Sequence, residues 1–161
     1  MTNTRKALYV LFLALFFLSG CANSIHAKPV TDFTADFHAA YRGQTLSGSV
    51  TYNRQGRMNL RINAPATIVG LTIGYVDNEL HLSKDGLQCT ADEAYLPYSS
   101  FPAALRNALT NICLEAENNK LCLTNGKGSV SGWELVIDES GFIRSLNNAD
   151  GSVSFENCIA L

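Results

Sequence analysis

Charge is scarce in this 161-residue chain, at 16% Asp, Glu, Lys and Arg, and it carries no basic excess, the formal net charge being −2. That balance excludes a nucleic-acid binder working through a Lys/Arg surface. The absence of long charged, Pro-rich or Gln/Asn-rich tracts excludes intrinsic disorder over most of its length. No apolar run reaches the roughly 20 residues that a membrane-spanning helix needs, so a polytopic membrane protein is excluded too. Metal-ligand spacing is also missing: there is no CxxC, HxxxH or HExxH, and only three histidines, His26, His38 and His81. Neither a nucleophile elbow nor a phosphate loop occurs. Asp92-Glu93 and Asp138-Glu139 are adjacent acids beside turns, where solvated loop positions are the expectation. These gaps point away from an enzyme and leave no metal or cofactor to be expected.

What is present begins at the N-terminus. Arg5 and Lys6 precede Ala7–Leu18, twelve uncharged and mostly apolar residues that read as the core of a secretory leader covering 1–20. Removing it takes two of the twelve basic residues and none of the fourteen acidic ones, which moves the net charge from −2 to −4. The apolar share of the remainder falls to about 44%, ordinary for one globular domain. The leader ends in Leu18-Ser19-Gly20-Cys21. This tetrapeptide resembles the lipobox of bacterial lipoproteins: a branched aliphatic, two small residues and the cysteine whose thiol becomes a thioether to diacylglycerol. The resemblance implies a covalent diacylglycerol and acyl chain on Cys21 and anchorage in the cell envelope. The anchor would lie in the outer membrane of a two-membrane organism, or on the outer face of a single cell membrane. More than one acyl chain makes such an anchor stable, at about 0.8 kcal/mol per buried CH₂. Residues 21–30 are polar, without period, and read as a tether.

From Thr31 the period is two. Phe33, Ala35, Phe37, Ala39 and Tyr41 alternate with polar residues, as do Leu46, Gly48, Val50 and Tyr52, and then Met58, Leu60 and Ile62. Short turns at 42–45 and 53–56 join these into an antiparallel meander with one apolar face. A more continuous strand is predicted over 67–76, a returning strand around Leu80–Leu82, and extended chain at Tyr95–Tyr98. Ser99-Ser100 followed by Pro102 starts a helix of about three turns ending at Cys113, with Leu105, Ala108, Leu109 and Ile112 on one face. Strand material follows at Leu121 and Leu123, over 130–137 around Trp133, over 142–146 and over 153–155. The sum is a mainly β (α+β) single domain over 31–161, with eight or nine strands and one short helix.

The order of these elements resembles the lipoprotein-localisation superfamily, the LolA- and LolB-like fold. The residues carrying it are Leu46-Ser-Gly-Ser-Val50, Met58-Asn-Leu-Arg-Ile-Asn-Ala-Pro65 and Trp133-Glu-Leu-Val-Ile-Asp138 with the closing Gly151-Ser-Val-Ser-Phe155. It implies a strongly curved antiparallel half-barrel with the helix on its concave side, and a cavity for an acyl chain or a lipidated partner. A long helix before the first strand, usual in that superfamily, is missing from the pattern. From periodicity, the candidates to line such a cavity are Phe33, Phe37, Tyr41, Val50, Tyr52, Met58, Leu60 and Ile62, and the same residues serve equally as plain core. A structural or adaptor lipoprotein with a filled core and no ligand is the alternative function.

Four cysteines remain beyond Cys21: Cys89, Cys113, Cys122 and Cys158. In an exported domain they suggest two disulfides in one of three connectivities, with Cys113–Cys122 across a short turn and Cys89–Cys158 as one choice, and four reduced thiols as the other state.

Overall fold

The computed structural model describes Lys28–Leu161. The leader, the lipidation cysteine Cys21 and the tether as far as residue 27 lie outside the described residues. Ten antiparallel strands form one sheet in the order β6-β5-β4-β3-β2-β1-β10-β9-β8-β7, and the sheet is not closed. The first meander is β1 (Phe33–Tyr41), β2 (Gln44–Tyr52), β3 (Met58–Ala64), β4 (Thr72–Val76), β5 (Glu79–Lys84) and β6 (Leu87–Asp92). A helix, α1 (Phe101–Glu117), then leads to β7 (Lys127–Val130), β8 (Trp133–Ile137), β9 (Ile143–Asn148) and β10 (Gly151–Ala160). The two meanders are joined where β10 pairs with β1, from Phe33 opposite Ala160 to Tyr41 opposite Gly151.

The alternation read from Phe33, Leu46 and Met58 onward is the burial pattern of β1, β2 and β3. Its apolar half forms the core: Phe37, Val50 and Leu60 have no exposed surface, and Phe33, Tyr52, Met58 and Ile62 almost none. Gly48 marks a register shift between β2 and β3. A Cβ there would collide with the Arg61 carbonyl, so only glycine allows the strands to approach this closely. The helix lies over the apolar face. The Phe101 ring sits 5.6 Å from Phe37 and 5.8 Å from Tyr41, and Leu105, Leu109 and Ile112 are fully buried beneath it.

Several elements differ from the sequence reading, each for a local reason. The helix has 17 residues rather than three turns, because Leu114-Glu-Ala-Glu117 are good helix formers without a breaker. The continuous strand expected over 67–76 is interrupted. Ala66–Ile68 make a single 3₁₀ turn, Gly70 adopts φ 81°, and the strand begins only at Thr72. The single strand expected over 130–137 is a hairpin, turned at Ser131-Gly132 with φ of 49° and 82°. Leu121 and Leu123 are buried, yet the chain there is not a strand and contributes one bridge, Thr124 to Lys127. Tyr95 ends a 3₁₀ turn rather than opening an extended segment. β6 is absent from the sequence reading: Leu87, Cys89 and Ala91 do alternate with Gln88, Thr90 and Asp92, but the run is short, its apolar members beyond Leu87 are small, and nearly all of it is exposed.

Candidate functional site

The start of α1 does not close fully onto the sheet. Between its first turn and the ends of β1–β4 lies an open cleft of about 330 Å³. Its walls are apolar: Leu46, Ile62, Ile68, Ile73, Phe101 and the ring of Tyr41. Ile68 is presented by the 3₁₀ turn that interrupts the expected strand, so that interruption helps to make the cleft. Arg42, Gln44, Ser99 and Ser100 supply the polar rim.

Two of the rim groups, Arg42 and Ser100, have a definite state. Arg42 and Gly43 form the two-residue turn between β1 and β2, both with positive φ. The Arg42 guanidinium donates to both carboxylate oxygens of Asp150, at 3.1 and 3.3 Å, which holds it still further in its charged form. Ser100 precedes the helix, but its hydroxyl makes no capping bond and is buried with no hydrogen-bond partner. A buried hydroxyl without a partner is disfavoured by about 1–3 kcal/mol, so this oxygen is an unsatisfied polar group buried behind the cleft wall.

Of the eight residues expected to line a cavity, the cleft takes two, Tyr41 and Ile62. Phe33, Phe37, Val50, Tyr52, Met58 and Leu60 do not reach it; they are buried in the core, where Phe33 packs against Tyr52 and Phe155 with ring centroids 6.2 Å apart. Ile68, Ile73 and the 99–102 segment escaped the sequence reading. Which residues a helix start leaves uncovered depends on where the helix crosses the sheet, and period alone carries no such information.

Polar contacts also hold the helix and the turns of the sheet. Arg106 donates from Nε to the Gly56 carbonyl at 2.9 Å, pairs with Glu93 and lies 5.0 Å above the Tyr75 ring. Asp92 caps the following turn by accepting from the Ala94 N–H at 2.8 Å. Asp138 accepts from Ser140 and Phe142 N–H groups and pairs with Arg144 at 2.7 Å. Asp92 and Glu139 are exposed turn residues as the sequence reading expected, whereas Glu93 and Asp138 are half-buried and clamped by Arg106 and Arg144. Tyr52 and Thr110 hydroxyls are 3.2 Å apart next to the buried Cys113. Burial pushes the Cys113 thiol up to about 11 and the Tyr75 phenol up to about 12, away from the reactive, ionised forms.

All four cysteines of the described residues are free thiols: Cys89 and Cys122 exposed, Cys158 half-buried, Cys113 buried. The pairing of Cys89 with Cys158 is corrected by topology. Five strands separate β6 from β10, about 29 Å along the sheet at the usual strand spacing, far beyond the span of a disulfide. Cys113 faces the core from the helix while Cys122 faces solvent, and no bond joins them. Among the described residues, no three His, Cys, Asp or Glu side chains are grouped to hold a metal ion. No described helix is long and apolar enough to cross a membrane. A scan against protein-family models finds no match to this chain, and neither does a search of curated proteins.

Proposed function

We propose that this chain is a cell-envelope lipoprotein, anchored through acyl chains on Cys21, that binds an apolar ligand in the cleft beneath the start of α1. The fold proposed for it is a LolA/LolB-like half-barrel, strongly curved, with α1 on the concave side. The observation that carries this reading is the cleft itself: an open, apolar-walled space at the edge of an otherwise filled core. About 330 Å³ lies at the low end of small-molecule sites, which run from roughly 300 to 1,000 Å³. One acyl chain suits that volume better than a bulky multi-chain lipid, and the Ser99, Ser100 and Arg42 rim suits a polar head. The role is binding rather than catalysis, in keeping with a thiol and a phenol whose protons are held tightly.

The test is a titration of the delipidated full chain in detergent with a fluorescent fatty acid. Saturable binding that Ile73→Trp weakens at least about tenfold supports the cleft, since a group filling the space removes the contacts outright. Absence of saturable binding contradicts it. In the same preparation Cys21→Ser eliminates acylation and membrane retention; normal processing and unchanged retention would refute the anchor. A second reading, an adaptor lipoprotein without a ligand, draws on the six cavity candidates that lie in the core. It predicts no probe binding and one dominant protein crosslinked in cells.

A further inference from the structure

The two edges of the open sheet are built differently. β7 is four residues long and starts at Lys127, to which Thr124 bridges back. Short, lysine-bearing edges resist pairing with other chains. β6 has six residues, Leu87-Gln-Cys-Thr-Ala-Asp92, with no lysine, arginine or proline, and pairs with β5 without a bulge. Of its core-facing side chains Leu87 and Cys89 are exposed and Ala91 is half-buried; Leu87 is 78% exposed. Such an edge is a template for another strand.

The direction of its backbone groups follows from the pairing. Asp85-Gly86 form a two-residue turn, so Lys84 and Leu87 are the hydrogen-bonded pair that closes it. Alternation makes Leu82–Cys89 and Leu80–Ala91 the next bonded pairs, and the Glu93 N–H bond to the Asn78 carbonyl at 3.2 Å continues the series. The N–H and C=O groups of Gln88, Thr90 and Asp92 therefore point away from β5. Among the described residues no strand pairs with them.

We propose that a second copy of this chain docks along β6, antiparallel, with a two-fold axis through Thr90. This register places Thr90 opposite Thr90 of the second copy, and Gln88 opposite Asp92 of the second copy on both sides of the axis. The three opposed pairs exchange two main-chain bonds each, about six in all. It is also the register of complementary chemistry. Each Gln88 amide can donate to a facing Asp92 carboxylate, and no two like charges on β6 stand opposite one another. The isologous pairing uses one edge per chain and leaves β7 outside, so assembly stops at the dimer. On the core-facing side, Leu87, Cys89 and Ala91 of the two copies form one continuous apolar strip.

The register predicts which cysteines can be joined. Cys89 faces Ala91 of the second copy in a non-hydrogen-bonded pair, with Cα atoms about 4.5 Å apart, within disulfide range. Two Cys89 residues face each other only diagonally, at about 7–8 Å. The experiment compares the full chain in detergent micelles with its Ala91→Cys variant, both treated with diamide, which takes up the two protons and two electrons released as each disulfide forms. Dimer on a non-reducing gel is expected to be about tenfold more abundant for Ala91→Cys than for the native chain. Thr90→Pro added to that variant removes an N–H that β5 does not use. It should cut the crosslinked dimer about tenfold while leaving β5–β6 paired and the thermal midpoint in place. Gln88→Lys, which charges the edge, should give the same loss and keeps the test decisive if Thr90→Pro unfolds the domain. Equal crosslinking with and without Ala91→Cys, no dimer at all, or dimer that survives the edge variants would overturn the proposal.

Discussion

One cross-strand row of side chains connects two unlike regions of the sheet. Ala35, Val50, Leu60, Ile73, Leu82 and Cys89 stand opposite one another in turn, from β1 outward to β6, on the same face. The first four are buried, Leu82 is half-buried and Cys89 is exposed. Strand geometry is the same throughout; what changes is the cover. The helix lies over β1–β4 and turns that part into core, whereas on the apolar side of the β5–β6 wing only Leu80 is buried, Leu82 and Ala91 are half-buried, and Leu87 and Cys89 are exposed. The cleft lies at the border between the two, at Ile62 and Ile73. Cover rather than alternation decides burial, and the limits of the cover define both the candidate site and the candidate interface.

The largest expected effect separates these regions by stability. Phe37→Ala, in the covered centre, should lower unfolding free energy by about 3–5 kcal/mol, because a fully buried aromatic leaves a cavity that its neighbours fill poorly. Leu87→Ala, on the wing, should change the monomer by no more than about 0.5 kcal/mol. Urea titrations of the two variants measure the contrast, and equal losses would show that the wing is covered in solution.

A smaller and more local effect concerns the thiols. With a maleimide at neutral pH, Cys89 and Cys122 should react first and Cys158 more slowly, since burial raises its thiol and Arg144 only partly compensates. Cys113 should stay unlabelled until the chain unfolds, because the thiolate is the reacting species and burial pushes this thiol up to about 11. Mass spectrometry of time points reads the order. Early labelling of Cys113 would mean that the helix does not stay docked.

Much of the fold was legible. The alternation of Phe33–Tyr41, Leu46–Tyr52 and Met58–Ile62, and the Ser100-Phe101-Pro102 helix start, are local signals, and each forms the element it indicates. Elements with weak local signals were harder to read. β6 follows β5 through the two-residue Asp85-Gly86 turn but carries only Leu87, Cys89 and Ala91 on its apolar side. The break at 66–71 is held by bonds such as the Gly70 N–H to the Ile62 carbonyl at 2.8 Å, a loop closure that the run of apolar residues does not show. The cleft was only partly visible. Tyr41 and Ile62 carry the strand period, but Ile68 and Ser100 reach the site through a turn and a helix start whose positions are tertiary facts. Glu93 and Asp138 were read as solvated because sequence shows the acid and not the arginine, Arg106 or Arg144, that folding brings to it.

On the proposed function, the border cleft and not the filled centre takes an apolar ligand. Isoleucine methyl NMR of the full chain in detergent, titrated with a fatty acid, tests it most directly, because isoleucines occupy both places. Saturable shifts are expected at Ile62, Ile68 and Ile73, while Ile112 and Ile137 stay unchanged in the core. Shifts at Ile112 and Ile137 with the cleft methyls unmoved, or no saturable shift anywhere, would contradict it.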